Sequence, residues 1–190
     1  MADAPTDTAL DLDGWLPGPE IVTRHHRVAR ADPDTLWAAA RGVRLDQTRT
    51  IGRLVRWRIP GVPEDESFMG LLAGDPFAVL DEGEHHSISG LCGRIWTLQR
   101  DYAQLAGPAD FVAWDVPRTV RVLFAHWVTE GPEPHTSTLH SEARIGPTDA
   151  IATMRLRALW LAVGPFERLI GAEPLTLAAQ HAETAAARRP

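Results

Sequence analysis

The chain has 190 residues, 44% of them hydrophobic and 23% charged, with a formal net charge of −6; that size suits one core, and the acidic balance argues against general nucleic-acid binding, which needs a basic face. All 19 residues in the Lys-plus-Arg count are arginine, which excludes a Schiff-base lysine, a phosphate-loop lysine and a Ser–Lys pair. Cys92 is the one cysteine, so an internal disulfide and a cysteine-based zinc site are excluded as well.

Residues 1–18 are rich in Asp, Pro, Gly and Ala and are expected to form a disordered tail. They carry acids in place of the basic and apolar parts of a signal peptide, so a cytoplasmic location is expected. Ile21–Arg30 has the pattern of a first strand. Asp32-Pro33 then places a helix N-cap and a first-turn proline ahead of a short helix over Asp34–Val43. A second short helix is predicted over Asp46–Arg58, with Ile51, Leu54 and Val55 on one face, followed by a loop through Pro60, Gly61 and Pro63.

Strand-like segments follow at Phe68–Ala73, Phe77–Asp81, His85–Ser89, Leu91–Leu98, Phe111–Trp114, Val120–Thr129 and Thr136–Ile145. Val120, Val122, Phe124, His126 and Val128 alternate along one of them, as a half-buried strand requires. Asp149 caps a long C-terminal helix whose apolar stripe runs through Ile151, Met154, Ala158, Leu161 and Ala162, widened by Leu156, Leu159, Trp160 and Val163. Gly164-Pro165 and the Gly171–Pro174 segment are expected to kink or divide it. No apolar run reaches the roughly 18 residues of a membrane span. The expectation is an α+β domain over 19–185, with 186–190 frayed. About seven strands form a curved antiparallel sheet around the long C-terminal helix, two short helices follow the first strand, and a mainly apolar pocket lies between sheet and helix.

Several segments carry a family likeness. They are His25 with Ala31-Asp32-Pro33-Asp34-Thr35-Leu36-Trp37; Asp81-Glu82 with Gly90-Leu91-Cys92-Gly93-Arg94-Ile95-Trp96; Ser141-Glu142-Ala143-Arg144-Ile145; and Leu159-Trp160 with Pro165-Phe166-Glu167-Arg168-Leu169-Ile170. Over residues 20–185 the chain resembles the START-like or SRPBCC superfamily, which includes polyketide cyclases and aromatases, lipid carriers and the birch-pollen allergen group. The resemblance implies the helix-grip fold, a hydrophobic small-molecule ligand of aromatic or polyketide type, a link to secondary metabolism, and His25 as the family's histidine. His126 stands where that pattern has an aromatic residue, and Ser141 and Ala143 replace two threonines.

His126 shares its strand face with Val122, Phe124 and Val128, so it is expected to point inward, as a general acid or base or as an orienting group. His25 and Glu142 are candidates to assist it. Glu142 and Arg144, at i and i+2, pair with each other or with Arg94 and Glu82, either around a polar ligand group or as a structural ladder on the outer face. Trp96, Trp127, Trp160 and Phe166 are candidates to stack on a flat ligand, with the Tyr102 hydroxyl as a further donor. The pairs His25-His26 and His85-His86 point to opposite faces, so neither chelates one metal ion. No metal and no cofactor are expected.

The leading expectation is a pocket protein for a hydrophobic small molecule, monomeric or homodimeric. If it is an enzyme, the chemistry is cofactor-free cyclisation, dehydration or isomerisation. The alternatives are a non-catalytic carrier or sensor, and a partner-binding module whose pocket is incidental and whose C-terminal helix exposes an apolar patch.

Overall fold

The computed structural model of the chain describes residues 10–58, 61–97 and 99–188, with the side chains of 56–58 and 165–171 outside the description. In chain order the elements are α1 (Leu12–Trp15), β1 (Ile21–Ala29), α2 (Pro33–Arg41), a 3-10 turn (Leu45–Gln47), α3 (Ile51–Arg58), α4 (Phe68–Ala73), β2 (Ala78–Gly83), β3 (His86–Gly93), α5 (Pro108–Val112), β4 (Val120–Glu130), β5 (Ser137–Pro147) and α6 (Ala150–Ala186). The strands form one antiparallel sheet in the order β1-β5-β4-β3-β2.

The sheet therefore has five strands where about seven were expected. Phe68–Ala73 is the helix α4, capped by the Ser67 side chain, which accepts from the Gly70 amide at 2.8 Å. Phe68, Leu71 and Leu72 have the i, i+3, i+4 spacing of a helix face, a signal that the hydrophobic run obscured. Phe111 belongs to α5, where Pro108 takes the first turn and Phe111 is the buried anchor. The segments His85–Ser89 and Leu91–Leu98 merge into β3, which ends at Gly93; Leu98 lies outside the described residues. The helix expected over Asp46–Arg58 is split by Thr48, whose hydroxyl donates to the Leu45 carbonyl and accepts from the Gly52 amide.

Alternation along the strands gives the sheet two faces. On the outer one, Ile88, Cys92, Leu123 and Ala125 pack with Leu80, Phe111, Leu12 and Leu16. Residues 10–18 are thus not a loose tail: α1 places Leu12 and Leu16 in this cluster, and only residues 1–9 of the expected tail fall outside the description.

Two clusters form on the inner face. Leu91, Val120, Val122 and Ile145 meet Leu156 of α6 at one end. At the other, Ala29, Val128 and Leu139 meet α2 and Leu175, Ala178 and Ala182 of α6. α6 packs on the sheet at both ends, and neither Gly164-Pro165 nor Pro174 divides it. Its buried stripe begins with Ala152 and Leu156, while Ile151, Met154 and Leu161 are exposed, Leu161 by 84%. The centre of the stripe read from the sequence is therefore turned to solvent, while Leu156 and Trp160 from its edge pack toward the sheet. Among the described residues no helix is long and apolar enough to cross a membrane.

Candidate functional site

Between the two inner clusters lies a cavity of about 340 Å³, floored by the sheet and walled by α3, α4 and α6. Strand register arranges the floor in three rows. Ile21, Ile145 and Val122 are cross-strand neighbours, as are Thr23, Ala143 and Phe124, and then His25, Ser141 and His126. All nine side chains line the cavity. Strand spacing makes this floor roughly 10 Å across three strands and roughly 13 Å along them. The walls are apolar: Ile51, Leu54 and Val55 from α3, Phe68, Leu71 and Leu72 from α4, and Trp160 and Val163 from α6.

Polar groups gather at one end. His126 is 3% exposed, and its Nε2 lies 3.1 Å from the Ser141 hydroxyl. The Phe68 ring meets the imidazole edge to face, with centroids 5.6 Å apart. Burial in this apolar setting pushes the His126 pKa down to about 4, so the ring is neutral at neutral pH. His25 completes the row on the far side of Ser141.

Glu142 and Arg144 are on the opposite face, because they alternate with Ser141 and Ala143. The Arg144 Nε donates to Glu142 at 2.6 Å, its Nη1 reaches Asp13 of α1, and Arg24 reaches Glu142 at 2.8 Å. Burial alone would lower the Arg144 pKa, but the hydrogen bonds it donates to Glu142 and Asp13, with their negative charges, outweigh it and leave the guanidinium more basic than usual. This is a structural ladder pinning α1 to the sheet, and Glu142 is corrected out of the cavity.

Of the other candidates, Trp160 lines the cavity. Trp127 faces outward and stacks on His140, centroids 4.9 Å apart and 9° from parallel. Trp96 and Tyr102 pack in the cluster beside the cavity without lining it. Arg94 pairs with Asp101 at 2.9 Å. The Phe166 side chain lies outside the description. Sequence reasoning missed Ser141, Thr23 and the α4 wall. The alternation that placed His126 inward, applied to β1 and β5, carries the first two.

Elsewhere, Asp34, Glu84 and His85 converge on the surface with ligand atoms within 4.8 Å of one another, His85 on Asp34 at 2.7 Å. Asp34 and Glu84 are exposed, His85 is half-buried, and none of the three lines the cavity.

No family model matches the chain, and no curated relative does. Among solved structures it is similar to the crystal structure of TTHA0849 from Thermus thermophilus, at 14% identity over 87% of this chain and 99% of that one, with a TM-score of 0.34. At that score the likeness assigns neither fold nor function.

Proposed function

We propose that the protein binds an apolar small molecule in the cavity between sheet and α6, in the manner of the helix-grip, START-like pocket proteins that its sequence resembles. The observation that carries this reading is the cavity itself: about 340 Å³, apolar on its walls and over most of its floor, with His25, Ser141 and His126 gathered at one end and the Thr23 hydroxyl in the middle row. That volume is at the small end of ligand sites, and at interior packing density it holds roughly 15 non-hydrogen atoms. An aromatic or polyketide-like ring system suits an apolar floor of this size.

Binding is favoured over turnover. A base whose pKa is held near 4 accepts a proton weakly at neutral pH, and Glu142 cannot assist from the other face. Cofactor-free proton transfer by His126 is the second reading, favoured by its contact with Ser141. A third reading, a partner-docking module, is favoured by the exposed Met154 and Leu161 on α6.

The test is native mass spectrometry of the purified protein with denaturing extraction, followed by titration with aminoanthracene as an apolar dye. One bound equivalent, lost when Ala143→Leu fills the centre of the floor, is the expected result. Dye binding that survives Ala143→Leu but is abolished by Leu161→Glu would place the apolar site on the α6 surface instead. Any extracted metabolite, incubated with the protein, tests for turnover directly: a product that disappears in His126→Phe would favour the enzyme.

A further inference from the structure

The two ends of the cavity differ in chemistry, and the difference bears on what can enter. The far row, Ile21, Ile145 and Val122, is wholly apolar, while the near row holds His25, Ser141 and His126. Among the described residues no Asp, Glu or Arg side chain lines the cavity. Arg24 and Arg144 are on the other face of the sheet, engaged by Glu142 and Asp13. Arg27 stands one row beyond His25 on the inner side, but it is exposed, bonded to the Thr176 hydroxyl and the His26 carbonyl, and does not line the cavity.

Resting on the binding reading above, we infer that the cavity selects an uncharged ligand, an apolar ring system with one hydroxyl or carbonyl group seated on the Ser141–His126 pair. A carboxylate placed there would lose water with no described arginine to meet it and only the half-buried His25 beside it, at a cost above that of burying a neutral group. A neutral imidazole carries one donor and one acceptor nitrogen, and a hydroxyl both donates and accepts. With Nε2 engaged by Ser141, Nδ1 is the ring nitrogen that faces no described hydrogen-bond partner. The pair can therefore donate to a carbonyl or accept from a hydroxyl by choice of tautomer and rotamer. Burial, which keeps His126 neutral, keeps this choice open at neutral pH.

A matched series tests the inference by calorimetric titration at neutral pH: naphthalene, naphthol, the naphthyl methyl ketone and naphthoate. Naphthol and the ketone are expected to bind tightest, naphthalene about fivefold more weakly for want of one hydrogen bond, and naphthoate at least about tenfold more weakly than naphthol. Ser141→Ala and His126→Phe, two variants that differ in their demand on packing, are each expected to narrow the naphthol-to-naphthalene affinity ratio toward one. Naphthoate binding as tightly as naphthol would overturn the neutral-ligand inference while the cavity reading stands. A naphthol preference that persists in both variants would overturn the role of the pair. Failure of all four compounds to bind would overturn the inference together with the binding reading beneath it.

Discussion

His126 and Ser141 are cross-strand partners in β4 and β5, and the serine hydroxyl lies 3.1 Å from the imidazole Nε2. The pairing follows from register alone: the same alignment that stacks Ile145 on Val122 and Ala143 on Phe124 sets the only two polar side chains that these strands give the cavity side by side. These two strands therefore confine their polar side chains to one end of an apolar space, and burial there removes the histidine from water.

That removal has a pH signature. The ordinary histidine pKa is 6.5, and burial lowers that of His126 to about 4. Below pH 6.5 the unfolded chain takes up a proton that the folded chain refuses, so stability falls as pH drops, until the folded ring titrates near 4. The full effect is on the order of 3 kcal/mol. Urea unfolding of the wild type and of His126→Phe across this range should show a stability difference that shrinks toward low pH in favour of the variant. A difference constant with pH would mean that the ring is solvated.

Glu142 should matter for stability and not for ligand affinity. It joins Arg24 and Arg144, and it is 5% exposed. Glu142→Gln leaves a buried guanidinium short of its main partner, a loss on the order of 2 kcal/mol, since Asp13 still reaches Arg144. Thermal unfolding should report the loss, and dye titration of the folded variant should give the wild-type dissociation constant. A weakened dye affinity at intact fold would return Glu142 to the cavity.

The sequence made some of this legible and not the rest. In β4 one face carries Val120, Val122, Phe124, His126 and Val128 at every second position, and that spacing aimed His126 inward, although Leu123 and Ala125 on the other face are buried as well. The caps Asp32 and Asp149 were equally plain, since each side chain accepts from an amide three residues on. By contrast, Phe68–Ala73 was misread because six residues are too few to separate a strand run from two helical turns once Gly70 lowers helix propensity. The exposed stripe of α6 was misassigned for another reason. The helix is apolar nearly all round, so its period does not say which side the sheet covers. Glu142 and Arg144 looked like site residues because charge on a strand carries no mark of which face is wet. The outer face is covered by α1, a single turn in a segment of tail-like composition, together with Phe111 of the short α5, and neither element was read as a helix in the sequence.

Glu173 of α6 holds the start of α3. Its carboxylate accepts from the amides of Arg49, Thr50 and Ile51, the last two at 3.0 and 3.2 Å. These amides would otherwise be orphaned at a helix N-terminus, and the negative charge complements the helix dipole. Glu173→Ala should cost about 1 kcal/mol. It should also speed amide hydrogen exchange selectively over 49–55, the wall that contributes Ile51, Leu54 and Val55 to the cavity. Uniform acceleration across the chain would mean that α3 does not open by itself.

The outer face offers the sharpest test that the two sides of the sheet act separately. Gly90 of β3 faces outward, opposite Leu123. A Cβ at this position would come within 2.6 Å of the Phe111 ring and 2.8 Å of Leu80, distances that force the side chains to move. Close approach, with no demand for an unusual φ, is thus what this glycine provides, and it lets α5 press Phe111 fully into the sheet. Gly90→Ala should destabilise the protein by about 1–3 kcal/mol through overpacking. Phe111→Leu alone should cost a similar amount by leaving a void. In the double variant the smaller leucine makes room for the added methyl, so the combined loss should fall clearly below the sum of the two. Because the neighbours Ser89 and Leu91 on the inner face keep their places, ligand affinity should stay at the wild-type value in all three folded proteins. Additive losses would show that Phe111 does not rest on Gly90, and a ligand affinity that tracked them would show that the faces are coupled through the backbone of β3.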